Sequence, residues 1–397
     1  MLDFRSGRWD PECLGLLSKE CRESLPEVRN DAFSFRDTTD MCSVKNSFLE
    51  RWPEMGHATR SASNHSGDRC LFFSGFGDGA CANIGTKCTS TDRIAVTIGT
   101  SAAARICIPM PLCDIEVHHT EDDNSKIQTE SGAKRMKLND NNYISNKDVD
   151  FEVPFGLFCY RIDSNTVLLG GALTDGGSVI AWMRDLFNLQ SESAFLNCLS
   201  KVDESYNKLS HNGKDESECT SGLNEKAHNL VFLPFLSGER STGYRENANG
   251  CLLGLTRSTT CADLLQESME SVVLRIHAIV RLIQKALASD SKDQCIVTSG
   301  NALEKNALWR QMLSDCSNMS VVVDSDGNEG TSRGAALLVA KSLVYSSSIN
   351  ILENRAIVKE PLMIKYSSNA RKDYQSYWTR KNKEQEALIN KVESLWS

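Results

Sequence analysis

The sharpest local signal in the chain is Phe73-Ser74-Gly75-Phe76-Gly77-Asp78-Gly79-Ala80. Three glycines around one aspartate let the backbone turn tightly and leave the carboxylate uncrowded, as a general base beside a substrate hydroxyl requires. An aspartate in an ordinary glycine-rich turn has the same look, so the octapeptide alone does not choose. Gly99-Thr100-Ser101 follows the buried-strand pattern of Ile94–Ile98 and offers backbone N–H groups and two hydroxyls to an anion. A plain strand-ending turn is the alternative. The loop lacks the lysine of a Walker A motif, and no G-x-x-x-x-G-K-[ST] occurs in the chain, which argues against a P-loop NTPase. Two more glycine turns, Gly176-Gly177 and Gly300-Asn301-Ala302, fall at strand-to-turn junctions.

Other clusters carry less. His118-His119 with Glu121, Asp122 and Asp123 has the composition of a metal set but sits in a polar stretch that fixes no coordination geometry, so no metal site is assigned. The remaining histidines support no Ser-His-Asp or Cys-His arrangement. Among 15 cysteines no pair has CxxC spacing, and the odd count suits buried thiols better than bridges or zinc. Lys134-Arg135-Met136-Lys137 is a short basic run that reads as a solvated loop.

A length of 397 residues with 40% hydrophobic content allows two packed cores. The net charge of −8 disfavours partnership with nucleic acid or an anionic membrane, since phosphate contacts come mainly from Lys and Arg. Apolar runs such as Leu230–Leu236 fall far short of the ~20 residues a bilayer span needs, and Arg105 interrupts Ile94–Cys113. Asp3 and Arg5 stand where a signal peptide would be apolar, so a cytoplasmic location is expected.

Around the candidate residues the periodic sequence is broken by three polar stretches, Asn30 to Arg69, Asp114 to Asp150 and Asp203 to Lys226, all expected at the surface. Phe48-Leu49 and Trp52 are the best packing candidates in the first. Between them, Ile94–Ile98 and Ala103–Ile108 predict a hairpin, Leu157–Ile162 and Val167–Gly171 further strands, and Gly177–Phe187 a helix. Thr260 can cap a long helix reaching Ile283 and beyond. Gln294–Thr298 and Ser320–Val323 read as strands, Lys305–Asp315 and Thr331–Leu343 as helices, and the tail ends in a candidate helix around Trp378 and Leu388. Strands alternating with helices after an opening meander predict an α/β sheet, with ligands beyond the strand ends where the glycine turns lie.

In order and wording, these blocks resemble the FGGY carbohydrate kinases, relatives of actin and hexokinase, and most of all their gluconokinase-type members. The resemblance runs from Asp3–Asp10 through Gly77-Asp78-Gly79-Ala80, Ala95–Ser101, Phe158–Arg161, Gly170–Ala172, Gly176-Gly177, Leu233–Arg240, Gly250–Leu255 and Gly300–Ala302 to Trp309–Gln311 and Ser332–Ala336. It implies an actin-like ATPase (ribonuclease H-like) lobe of β-β-β-α-β-α-β-α order, preceded by a partial first lobe. The implied division is 1–93 as the end of a sugar-binding lobe, 94–345 as the C-terminal lobe with disordered inserts near 114–150 and 203–226, and 346–397 as a helical tail. Asp78 then matches the catalytic base, with Asp78 and Gly79 at the substrate. Gly99, Thr100, Ser101, Gly177, Gly300 and Asn301 match nucleotide-binding positions, and Mg²⁺ enters through ATP.

The implied activity is ATP-dependent phosphorylation of a sugar, sugar acid or polyol, a gluconate-like substrate first, and a homodimer stays open. Asn301 stands where a second glycine is usual, and Glu267 where the family prefers a small residue. Nothing here matches the family's first phosphate loop, G-x-D-x-G-T. The chain is therefore expected to bind ATP weakly and not to phosphorylate gluconate appreciably by itself. A non-catalytic nucleotide-binding or interaction protein derived from such a kinase is the competing expectation.

Overall fold

The computed structural model describes residues 9–25, 76–110, 152–163, 165–209, 229–288, 294–325, 329–346 and 361–396. Phe48-Leu49, Trp52, the insert 114–150 with its histidines and basic run, and Phe73–Gly75 lie outside the described residues. Two single-turn helices, Pro11–Gly15 and Lys19–Glu23, come first, the former capped by Asp10, whose carboxylate accepts from the N–H of Glu12 and of Cys13.

A seven-stranded mixed sheet organises the rest, in the order β3 (Phe158–Asp163), β4 (Thr166–Leu173), β2 (Ala102–Pro109), β1 (Arg93–Ile98), β7 (Cys295–Ser299), β8 (Ser320–Asp324) and β9 (Ile364–Ser368). Its centre is β1, Arg93–Ile98, antiparallel to β2, Ala102–Pro109, and parallel to β7, Cys295–Ser299, which in turn lies parallel to β8, Ser320–Asp324. The hairpin of β3, Phe158–Asp163, and β4, Thr166–Leu173, pairs through β4 onto β2, so the opening has four strands with the third at the edge. A small second sheet joins β5, Val231–Leu233, to β6, Cys251–Leu253. Near-continuous apolar runs at β1, β2 and β4 follow from burial on both faces.

One face is covered by α2, Gly177–Leu186, α3, Glu192–Lys208, and α4, Cys261–Leu287. The α4 helix starts with a capping box: the Asp263 carboxylate accepts the Thr260 N–H at 2.7 Å and the Thr260 hydroxyl accepts the Asp263 N–H at 3.2 Å. From Leu265 to Ile276 every residue of α4 is buried, and Leu265, Val272, Ile276 and Ile279 join Ile94, Val96, Ile98 and Ile106 in the main core.

On the opposite face lie α1, Asp78–Gly85, and α7, Gly330–Ser346, packed backbone to backbone. A Cβ on Gly334 would sit 1.8 Å from the Cys81 carbonyl oxygen and one on Gly85 1.7 Å from that of Gly330, so neither position accepts a side chain. Between β7 and β8 run α5, Asn301–Lys305, and α6, Ala307–Ser317, where a single helix was expected from Lys305. Asn306 breaks it by capping α6, its side-chain oxygen accepting the Trp309 N–H at 3.0 Å.

Two expected boundaries differ. The polar stretch from Asp203 is helical as far as Lys208, because Val202 and Tyr206 are fully buried and the Tyr206 hydroxyl donates to Asp315 at 2.9 Å; residues 210–228 lie outside the described residues. The tail from 346 is more than helical. Its β9, Ile364–Ser368, adds the last strand antiparallel to β8, and its α8, Gln375–Val392, buries Trp378 and Lys381. Lys381 forms an ion pair with Glu267 and donates to the Leu230 carbonyl at 2.7 Å, while Glu267 accepts the Phe232 N–H at 3.0 Å. That pairing accounts for a carboxylate where a small residue was expected.

Candidate active site

Asp78 begins α1, with Gly77 in the cap position, and its carboxylate accepts the Gly79 N–H at 2.7 Å. The residue is exposed, while Gly79 and Ala80 behind it are buried. Asn83 and Cys107 touch across to β2, at 3.9 Å, which fixes α1 over that strand. Over Gly79 lie two side chains from the sheet: a Cβ there would be 2.9 Å from the Tyr160 hydroxyl and 3.2 Å from Arg105 Nε. Tyr160 stacks on Phe158 with ring centroids 5.9 Å apart. Burial lowers the Arg105 pKa, with Arg240 acting in the same direction and Tyr160 and Asp78 opposing. Burial raises that of Tyr160, Asp78 adding to the rise and Arg105 reducing it. The carboxylate therefore stands near Arg105 and Tyr160.

At the far end of β1 the glycine turns converge. The Gly99 N–H donates to Ser101 O at 2.9 Å, closing the β1–β2 turn. Three N–H groups at the start of α2 hold that turn: Gly177 donates to Gly99 O at 2.7 Å, and Gly176 and Ser178 to Thr100 O at 2.9 and 3.1 Å. Such contact requires bare backbone, since a Cβ on Gly177 would lie 2.5 Å from Gly99 O and one on Gly176 2.7 Å from Ser101 O. The α2 donors are thus used within the protein. Thr100 and Ser101 are exposed, and their N–H groups and hydroxyls have no partner among the described residues, which leaves them for an anion.

Gly300, with φ +93°, ends β7 beside this turn, where a Cβ would be 2.8 Å from Ile98 O. The left-handed conformation falls to Gly300 and not to Asn301, which starts α5 in ordinary helical geometry and is exposed. The Thr97 and Ser299 hydroxyls lie 2.8 Å apart under the same edge. Gly99, Thr100, Ser101, Gly177 and Gly300 therefore form one cluster, with Asn301 next to it. Asp78 and Gly79 belong to another part of the sheet, over Arg105, whose backbone is four residues, about 13 Å, along β2 from Ser101.

Sequence reasoning passed over Arg105, Tyr160 and Asp175. The Asp175 side chain is buried at the end of β4 and accepts from the Ser237 N–H at 2.7 Å and the Ser178 hydroxyl at 2.9 Å, tying α2 to the segment before Arg240. Its signal was a lone aspartate before a glycine pair. Arg105 registered only as a charge interrupting an apolar run.

Residues 151–343 match the model of the FGGY family of carbohydrate kinases, C-terminal domain. Gluconokinase from Bacillus licheniformis is 26% identical over 271 residues, covering 67% of this chain and 42% of that protein, so the chain spans under half the length of this curated relative. Among solved structures, ligand-bound xylulose kinase from Lactobacillus acidophilus superposes with a TM-score of 0.65 at 19% identity, over 100% of this chain and 63% of that one. Plasmodium falciparum glycerol kinase with ADP gives 0.60 at 16% identity, over 98% and 60%. None of the described helices is long and apolar enough to cross a membrane. With a mixed sheet whose glycine turns gather at the ends of β1, β4 and β7, the chain shares the actin-like fold of these sugar kinases, and its residues 151–343 match the C-terminal domain of the FGGY family of carbohydrate kinases.

Proposed function

We propose that this chain serves ATP-dependent phosphoryl transfer to a hydroxyl of a sugar, sugar acid or polyol, with a gluconate-like compound as the first acceptor to test and the cytoplasm as its location. One observation carries the reading. The glycine turns leave the Thr100 and Ser101 donors open at one end of the sheet, while Asp78 stands uncrowded over the same sheet among groups of opposite charge. In this scheme Asp78 takes the proton of the acceptor hydroxyl as its oxygen bonds to the γ-phosphorus of ATP, the β–γ bridge breaks, and ADP leaves. The free N–H groups of Thr100 and Ser101 would hold the phosphate charge that develops, as preorganised donors do elsewhere. Gly300 would let the nucleotide lie close to the β7 edge. Mg²⁺ would arrive on the phosphates and neutralise their charge; among the described residues no group of three His, Cys, Asp or Glu is placed to hold a metal.

The test is sugar-dependent ADP release by the chain and by Asp78→Asn with gluconate, glycerol and xylulose. Whatever turnover the chain supports should fall by about 10²–10⁴ in the variant. Release that survives the substitution unchanged contradicts the role given to Asp78.

A further inference from the structure

Cys198, midway along α3, and Cys261, the first residue of α4, bring their sulfurs to 3.7 Å from each other. Each stands on an anchored element. The Ser191 hydroxyl accepts the Ala194 N–H at 3.1 Å at the start of α3, and the Tyr206 hydroxyl ties its last turn to Asp315 at 2.9 Å. Cys261 follows directly on Thr260, which the capping box holds against Asp263. Because α3 packs on α4, the two thiols meet: Cys198 is part of the main core, and half-buried Cys261 packs against it.

A disulfide holds its sulfurs about 2.05 Å apart, so each of these need move by less than about 1 Å, a displacement that side-chain rotation can supply. The two thiols are not equivalent. Burial, together with the adjoining Cys261 thiol, pushes Cys198 up to about 11 against the pull of Lys201. Cys261 is the more exposed of the pair. An incoming oxidant therefore meets Cys261 first, and Cys198 is left to resolve the product. In a reducing compartment the thiol pair is the resident form, and a disulfide there is transient and responsive to oxidant.

We propose that Cys198 and Cys261 are a modification site, forming a reversible disulfide with an oxidised low-molecular-weight thiol as oxidant and so stapling α3 to α4. With oxidised glutathione, the Cys261 thiolate attacks one of its sulfurs, that S–S bond breaks, and one glutathione thiolate leaves. The Cys198 thiolate then attacks Cys261 Sγ, the protein S–S bond forms, and the second glutathione thiolate leaves. Two protein thiols lose two electrons and two protons, and the two glutathione thiols carry them away. The new bond closes a loop across a separation of 63 residues, which takes in β5, β6 and residues 210–228, and it removes freedom from the unfolded chain.

The test holds the 397-residue chain in oxidised glutathione until exposed Cys21 is fully glutathionylated, then alkylates the remaining thiols, cuts with trypsin and reads the peptides by mass spectrometry. Trypsin leaves Cys198 in residues 185–201 and Cys261 in residues 258–275, each with no other cysteine. The expected product joins these two peptides and disappears with dithiothreitol. The linked chain should unfold about 3–10 °C above the reduced one. Cys198→Ser should stop at the mixed disulfide of Cys261 with glutathione, Cys261→Ser should leave Cys198 unmodified, and neither should show the rise in midpoint. Midpoints in reductant show that each variant is folded, and Cys261→Ser, at a half-buried position, reads the same loss if the core variant Cys198→Ser is not. No linked peptide once Cys21 has reacted, a main product that joins either residue to another cysteine, a linked chain no more stable than the reduced one, or a midpoint rise that survives Cys261→Ser overturns the inference.

Discussion

Gly177 shows how a single missing Cβ serves the site. Its N–H is spent on Gly99 O, so its contribution is to let α2 close on the phosphate turn. Gly177→Ala should push that turn off the helix and cost about 1–3 kcal/mol of stability in urea unfolding, as overpacking does. His277 lies half-buried on α4, just past its continuous buried run, with Nδ1 unpartnered among the described residues, and desolvation, aided by the Arg281 charge, pushes its pKa down from 6.5 to about 4. The unfolded chain therefore binds this proton first, and stability is lost as pH falls from about 6.5 towards 4. Allowing for partial exposure, the loss is ~1–3 kcal/mol, and urea midpoints of wild type against His277→Gln across that range should show a flatter curve for the variant; parallel curves contradict the assignment. The glycine turns and their close contacts were legible because backbone freedom leaves a mark in composition. The place of Arg105 over Gly79 was not, since an arginine inside a β-strand run carries no spacing that announces its neighbour.

The helices that position these residues were read best where their ends are written locally. Thr260 announces α4, and the structure adds Asp263, which completes a capping box with it. Asn306 carried the same kind of cap inside a stretch that looked continuous, and α3 ran on past Asp203 because Tyr206 has a partner 109 residues away in Asp315, which no local pattern discloses. The contact of α1 with α7 is also non-local. Gly334→Ala places a methyl where Cys81 O now lies, so α1 must move out and take Asp78 with it. The expected outcome is a loss of ~1–3 kcal/mol in chemical denaturation; a variant as stable as wild type contradicts the close packing.

Across the whole molecule, the sheet class and the order of its central strands were visible in alternating apolar runs, whereas the way the tail closes the structure was not. Strand β9 and helix α8 are joined to the core by Lys381, Glu267 and Glu270, with the Tyr377 hydroxyl donating to Glu270 at 2.7 Å. Burial raises the Glu267 pKa to about 7 against the pull of Lys381. Lys381→Met should strand two buried carboxylates and cost about 3–5 kcal/mol, and adding Glu267→Leu should recover much of it, which a double-mutant cycle in urea would show. No recovery would mean the pair is not the unit that locks the tail. The account as a whole holds that nucleotide and acceptor are served by separate parts of one sheet, the glycine cluster and the Asp78 group. Calorimetric titration of MgATP into wild type, Asp78→Asn and Gly177→Ala tests this most directly. Wild type and Asp78→Asn should bind alike and Gly177→Ala about tenfold or more weakly; no binding to wild type, or a loss in Asp78→Asn equal to that in Gly177→Ala, would contradict it.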